Sequence, residues 1–285
     1  MIKRLAILLG GSLAYFLSLA TAQPLPVHSP VPGGIAVVDL GEANSLRPRA
    51  TLADRPVLVI QNEGRWIALV GIPLATKPGR HTVEVCRADR CETLSFKVAP
   101  KAYPAQSIRL PKGQERYVTP HPDDLARIER ERKRLEEILA TWTERVQVDT
   151  DFHLPVRGRL GSLFGLRRFF NGEPRNPHSG LDFIAPQGTP VQAPAAGTVL
   201  AAEEFFFTGK AVFLDHGQGL ISGYFHLDRI DVQPGQAVQR GEVLGYVGTT
   251  GRVTGPHLHF SVYLNRTAVD PELFLRRYGL ANARG

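Results

Sequence analysis

Cysteine is scarce in this chain of 285 residues: there are two, Cys86 and Cys91. A C-x4-C pair without partner ligands excludes a cysteine-based zinc module. No cysteine lies close behind the N-terminal apolar stretch, which excludes a lipoprotein-type anchor there. Beyond that stretch no apolar run approaches the ~20 residues a membrane-spanning helix requires. The formal net charge of +7 is accompanied by no recognised nucleic-acid-binding motif, so the basic excess is not read as a nucleic-acid footprint. A charged helical stretch in mid-chain lacks sustained heptads, which argues against a dimerising coiled coil.

What is present sets a compartment first. Lys3-Arg4, the apolar run Leu5 to Leu19 and Ala20-Thr21-Ala22 before Gln23 read as a secretory signal peptide over residues 1–22. An exported protein is expected, periplasmic with a secreted form as the alternative, and with no membrane span once the signal is removed. Its mildly basic character suits an anionic cell wall. Hydrophobic residues make up 43% of the chain, enough for packed cores, and the length suits two domains.

Three textures follow the signal. Residues 23–103 show short β runs with Pro/Gly breaks, at Gly34–Leu40, Pro56–Gln61 and Trp66–Ile72. Then come alternating strands at His81–Val85 and Thr93–Val98 that flank the cysteines. This spacing predicts a small antiparallel sandwich. Residues facing each other across a tight hairpin can meet disulfide geometry, so a Cys86–Cys91 bond is favoured over free thiols in an oxidising compartment. Residues 104–150 are expected to be a linker. Asp123-Asp124 can cap a helix, and Leu125, Ile128, Leu135, Ile138, Leu139 and Trp142 fall at helical spacing. One connecting helix of roughly 23 residues is predicted from that period. Residues 151–285 are glycine-rich with many short apolar runs, which predicts an antiparallel β domain. The predicted fold is therefore mainly β. A faint internal echo, Gly188-Thr-Pro-Val191 and Gly235-Gln-Ala-Val238, is each time followed by a Gly-x-Val step.

Within this last region, His178, Asp182, His226, His257 and His259 carry the chemistry. A catalytic zinc takes three protein ligands and keeps one position open. His178, Asp182 and one of His257 and His259 would fill the three, leaving two imidazoles to handle protons. Along a strand, residues i and i+2 share a face, so His257 and His259 are expected side by side. A mixed His/carboxylate set suits zinc better than calcium, which prefers oxygen. His28, His81, His121 and His153 read as ordinary surface residues, and His216 as a turn residue. Tyr224 and Arg167 read equally well as groove residues or as packing and surface residues.

His178-x-x-x-Asp182 followed by His257-x-His259 resembles the lysostaphin-type, or LytM-domain, zinc endopeptidases. So do Ser162-x-Phe164-Gly165-x-Arg167, Tyr224-x-His226-Leu227 and Thr250-Gly251-Arg252-x-Thr254-Gly255-Pro256. The likeness runs from about Leu154 to Leu275, and residues 23–103 more weakly resemble the immunoglobulin-like N-terminal domain of some such enzymes. The resemblance implies that His178, Asp182 and His259 bind Zn2+, that His226 and His257 form the catalytic pair, and that peptidoglycan peptides are the substrate. It leaves open which histidine is the base and which bond is cut. Some relatives have lost ligands and only activate amidases, and others are secreted endopeptidases acting on glycine-rich proteins; both are the alternatives. Domain order and the resemblance also raise the expectation that the N-terminal domain and helix regulate the enzyme by occluding the groove, a polar side chain completing the zinc shell in place of water.

Overall fold

The computed structural model describes residues 23–275 apart from 45, 89, 111, 112 and 114, so the expected signal peptide lies outside the described residues. The N-terminal part is one antiparallel sheet of β1 (Ile35–Glu42), β2 (Arg49–Leu52), β3 (Arg55–Asn62), β4 (Arg65–Gly71), β5 (Gly79–Arg87) and β6 (Arg90–Val98), in the order β1-β4-β3-β2-β5-β6. The sheet folds over on itself, so residues of both halves share a core: Ala36, Val57, Val59, Ala68 and Val70 pack with Val83, Val85 and Val98. The sandwich-like expectation is met by one continuous sheet, joined through the β2–β3 pair. Cys86 and Cys91 are register partners across the β5–β6 hairpin and are disulfide-bonded.

Alternation along β3 and β4 explains why this domain is not free-standing. Val57, Val59, Ala68 and Val70 face its own core. Leu58, Ile60, Ile67 and Leu69 face the other way, into a core shared with Phe152, Leu181, Phe183 and Phe260 of the C-terminal part. Each such buried side chain contributes roughly 1.5–3 kcal/mol. Polar groups at the seam are satisfied. The Gly71 N–H donates to Asn265 Oδ1 (2.7 Å) and Asn265 Nδ2 donates to the Gly71 carbonyl (3.0 Å). The Val59 N–H donates to Gln218 Oε1 (3.1 Å).

The connecting segment does more than link. β7 (Ala105–Ile108) runs parallel to β9 (Arg167–Phe170), with β10 (Glu173–Pro174) on the other side of β9. After a short 3-10 turn (Glu115–Tyr117), helix α1 spans Pro122–Leu139, 18 residues. It is shorter than expected and differently capped. His121 is the N-cap, its ring accepting from the Asp123 N–H, and Asp123 and Asp124 lie in the first turn where their charge suits the helix dipole. Trp142 falls outside the helix. There the Thr143 carbonyl accepts from the Gln218 N–H (2.8 Å) and the Arg145 carbonyl from Gln218 Nε2 (2.8 Å). These tertiary bonds hold the chain in an extended path. Of the expected apolar stripe, Leu135, Ile138 and Leu139 pack against a cluster including Phe205, Phe213 and Phe225, while Leu125 is 54% exposed. Among the described residues no helix is long and apolar enough to cross a membrane.

The C-terminal sheet comprises β8 (Arg159–Leu160), β11 (Leu181–Ile184), β12 (Pro190–Gln192), β13 (Gly197–Phe205), β14 (Gly209–Gly217), β15 (Leu220–Ile230), β16 (Ala237–Val238), β17 (Val243–Val247), β18 (His257–Leu264) and β19 (Thr267–Val269), with a last helical turn α2 (Glu272–Leu275). The main order is β16-β13-β14-β15-β18-β11-β8, all antiparallel; β12 pairs with β17, which also pairs with β15. The internal echo is structural. The Gly188 N–H donates to the Val247 carbonyl and the Val247 N–H to Thr189; equivalently, the Gly235 N–H donates to Val199 and the Val199 N–H to Gln236. Gly188 (φ 83°) and Gly235 (φ 85°) both take the left-handed backbone such a turn requires.

Candidate metal centre

The site is built on the β11–β18 ladder, where Asp182 stands directly opposite His259 and Ile184 opposite His257. His178 sits in the loop before β11. That loop is held by its N–H to the Leu166 carbonyl (2.9 Å) and its carbonyl to the Gly165 N–H (2.8 Å). The chain must pass close over His259 between His178 and Asp182. A Cβ on Gly180 would lie 2.7 Å from His259 Nε2 and 2.4 Å from the Phe260 carbonyl oxygen, so only glycine fits.

His226 reaches the site by a different route. On β15 Tyr224 pairs with Val212 and Leu227 with Lys210 of β14, so Phe225 and His226 together oppose Ala211. This is a β-bulge, and His226 takes a left-handed φ of 64°. Regular alternation would put His226 on the face of Tyr224, whose ring packs on Phe260 (5.5 Å between centroids). The bulge turns it to the opposite face, where its ring lies 4.9 Å from His257 and 6.1 Å from His259. A left-handed non-glycine residue costs on the order of 1–3 kcal/mol and persists where the surroundings over-determine it.

Three donor atoms converge. His178 Nε2 is 3.0 Å from Asp182 Oδ1 and 2.8 Å from His259 Nδ1, and His259 Nδ1 is 2.8 Å from Asp182 Oδ1. All three residues are buried; His178 is 2% exposed. Hydrogen bonds on the far sides of the rings fix which nitrogens face inward. A carbonyl oxygen only accepts, so His178 Nδ1–H donates to Leu163 (2.7 Å), His226 Nδ1–H to Thr250 (2.9 Å) and His257 Nδ1–H to Gly255 (2.8 Å). In its neutral form each of these rings then presents Nε2 as an acceptor. His259 is turned the other way, with Nε2 against Ser261 Oγ (3.0 Å) and Nδ1 inward. His257 Nε2 is 3.9 Å from Asp182 Oδ1, beside the cluster. Two imidazole nitrogens and one carboxylate oxygen, with the imidazoles oriented by outer hydrogen bonds, are a donor set that fits zinc.

Burial alone would raise the Asp182 pKa. The charge and hydrogen bonding of His178 and then His259 outweigh it and hold the carboxyl well below its usual range. Burial, then the neighbouring His257 and His259, hold His226 well below the usual histidine value. Burial likewise lowers His259, to about 4. The other carboxylate oxygen, Oδ2 of Asp182, accepts from Arg168 NH2 at 3.0 Å, and both side chains are largely buried. Replacing Arg168 by alanine is expected to weaken zinc binding by roughly 10–100-fold, as for other residues that orient a ligand from behind. A competition titration against a chromogenic chelator reads this directly; an unchanged affinity would show that Asp182 is positioned without it.

Arg168 was not singled out from the sequence. Its neighbour Arg167 was, but Arg167 Nε donates to the Tyr103 carbonyl (3.2 Å) on the exposed side of β9. Successive strand residues face opposite ways, and the Arg-Arg pair was the only signal available. Tyr224 is fully buried and does not enter the groove; its hydroxyl bonds Ser222 Oγ (2.7 Å), which bonds His216 Nε2 (2.8 Å). His216 is therefore a core residue of β14, not a turn residue. Its Nδ1–H donates to the Ala196 carbonyl (2.9 Å), and burial lowers its pKa to about 4.

Two cavities adjoin the cluster. One, of about 580 Å³, is lined by Gln106 of β7, Ser162, Leu163, Asp182, Pro256 and His257, among others. The other, of about 320 Å³, lies under α1, lined by Ile128, Leu135, Ser179, Phe225, Tyr263 and His259, among others. Neither is lined by a residue of 23–103. The connecting segment contributes to both walls, Gln106 of β7 to the first and Ile128 and Leu135 of α1 to the second.

A buried His/His/Asp cluster with two further imidazoles alongside, on a folded antiparallel sheet, offers the donor set a metal centre needs. The chain belongs to peptidase family M23. Residues 176–271 match Peptidase family M23 and residues 28–101 match the Peptidase family M23 N-terminal domain. A crystal structure assigned to peptidase M23 from Pseudomonas aeruginosa is 45% identical with a TM-score of 0.73, covering 87% of this chain and 96% of that one. Peptidoglycan DD-endopeptidase ShyA of Vibrio cholerae is 40% identical over 113 residues, 39% of this chain and 26% of that protein. DD-carboxypeptidase/endopeptidase Mpg of Neisseria meningitidis is 41% identical over 116 residues, 41% of this chain and 27% of that protein. The matched stretch thus spans about a quarter of these curated relatives.

Proposed function

We propose that this protein is a zinc-dependent endopeptidase that hydrolyses amide bonds in peptidoglycan peptides, exported to the periplasm by its first 22 residues, with a secreted form as the alternative. The observation that carries the reading is the convergence of His178 Nε2, Asp182 Oδ1 and His259 Nδ1 beside the Nε2 atoms of His226 and His257. The two curated relatives named above, both peptidoglycan enzymes by name, support the substrate class.

In this reading His178, Asp182 and His259 hold the metal. Bound zinc would polarise the scissile carbonyl and make water a nucleophile near neutral pH. His226 and His257, locked as Nδ1–H tautomers, each offer Nε2 as a proton acceptor. The one that takes the proton from water can return it to the departing amine. A histidine protonated at Nε2 can instead donate to the developing oxyanion. Burial of the cluster keeps bulk solvent from screening these charges.

The test is release of soluble muropeptides from purified sacculi. Release that is abolished by a chelator and restored by stoichiometric zinc is the expected outcome. A zinc-loaded protein that releases nothing, yet stimulates a purified amidase, would replace this reading with that of a non-catalytic activator. Preferential cleavage of glycine-rich proteins over sacculi would move the substrate class.

A further inference from the structure

Three arginines gather at one side of the metal cluster, and two are neutralised. Arg168 is paired with Asp182 (3.0 Å) and Arg175 with Glu173 (2.6 Å). Arg252 has no carboxylate within ion-pair reach among the described residues; the charges it feels most are Arg168 and Arg175, both of its own sign. Its guanidinium lies between two aromatic rings, 4.4 Å from the Phe170 centroid and 4.9 Å from Phe207. Burial lowers its pKa to about 10. Ring faces compensate a half-buried cation only partly. A desolvated charge without a counterion is a cost that folding would otherwise remove.

The place explains why the charge is kept. Arg252 opens into a cavity of about 450 Å³, lined also by Pro174, Arg175, Asn176 and Phe207. Asn176 and Phe207 line the neighbouring cavity too, the one that has His259 in its wall. The Arg252 pocket thus shares two wall residues with the cavity that His259 lines. It is also rigidly tied to the metal cluster, because the Arg252 N–H donates to the Phe207 carbonyl (2.9 Å) and the Thr250 carbonyl orients His226. A guanidinium within 4.4 and 4.9 Å of two ring centroids is restrained in place, and its planar fork of donors suits a carboxylate.

We infer that Arg252 forms a carboxylate-binding subsite of the peptide groove, anchoring an ionised carboxylate of the substrate away from the scissile amide. The inference rests on the endopeptidase reading and deepens it. Peptidoglycan peptides carry such groups from two sources, the C-terminal carboxylate of a stem and the free carboxylate beside the cross-linking amine of diaminopimelate.

The experiment uses the full-length, zinc-loaded protein and three cross-linked muropeptide dimers: one unmodified, one amidated at the C-terminal carboxylate, one amidated at the diaminopimelate carboxylate. Loss of one hydrogen-bonded charge pair is expected to cost wild type roughly ten- to a hundredfold in kcat/KM, carried by KM, on one of the two amidated dimers. That dimer identifies the source. R252Q is expected to show the same loss on the unmodified dimer and no further loss on that amidated one, with zinc stoichiometry unchanged. R252K keeps the charge without the planar fork and should fall between. The subsite is overturned if wild type cleaves all three dimers alike, or if R252Q loses the same factor on all three. If R252Q does not fold, the wild-type comparison and R252K decide. A wild-type protein that cleaves none of the dimers overturns the endopeptidase reading and the subsite with it.

Discussion

Replacing His226 by alanine is expected to leave zinc bound and to cut turnover of peptidoglycan dimers by roughly a hundred- to ten-thousandfold, the usual worth of a general acid–base group. The separation of the two effects follows from geometry. His226 is not one of the three converging donors, and its Nδ1–H is held by the Thr250 carbonyl, so its loss removes none of those donor atoms. Its unprotonated Nε2 is lost with it. Because the backbone at 226 has φ 64°, alanine adds strain of its own. His226→Asn is the cleaner variant, since asparagine tolerates the left-handed region. Zinc content by elemental analysis, beside steady-state rates, separates the roles. A His226→Asn protein with normal kcat would remove this histidine from the chemistry. One lacking zinc would make it a ligand.

His259→Ala is expected to do the reverse in sequence of cause: zinc is lost first, and activity falls to background because of it. His259 supplies one of three donors, and Asp182 stands opposite it in the ladder. Without it two donors remain, His178 and a less fully matched buried carboxylate, which is too few for a protein-held zinc. The effect also reads out in stability. A ligand that binds only the folded state stabilises by about 4 kcal/mol at a thousand times its Kd. A chelator should therefore lower the melting temperature of wild type by several degrees and leave that of His259→Ala unchanged. Stoichiometric zinc in the purified His259→Ala protein would sink the ligand assignment, and with it the roles given to His178 and Asp182.

Much of this site is legible in the chain because its signals are local. His257-x-His259 runs into a β-run behind Gly-Pro, and strand period does the rest: both imidazoles lie on one face of β18. His178 and Asp182 straddle a glycine that the close approach to His259 demands. Where the reading of single residues fails, a non-local cause can be named. Tyr224 and His226 share a Tyr-x-His spacing that implies a common face, but the bulge opposite Ala211 separates them, one to the core and one to the site. Bulges depend on the partner strand, which sequence spacing does not show. Arg168 rather than Arg167 backs Asp182 because successive residues of β9 face opposite ways, and which of them faces the site is set by contacts outside the strand. Past the helix end at Leu139, Gln218, distant in sequence, takes the Thr143 and Arg145 carbonyls and holds that stretch extended.

The sequence by itself determined the export signal as an expectation, the mainly β architecture, the cysteine hairpin and the five residues of the candidate centre. These rest on short-range chemistry: turn glycines, strand alternation and donor types. Only the tertiary structure decided how those residues are aimed and enclosed. It places β7 and α1, not the N-terminal sheet, as walls of the cavities beside the cluster. It puts β3 and β4 between two cores, and leaves Arg252 without a carboxylate partner among the described residues. Each of these depends on contacts between segments far apart in the chain, where packing and desolvation, not local propensity, set the outcome.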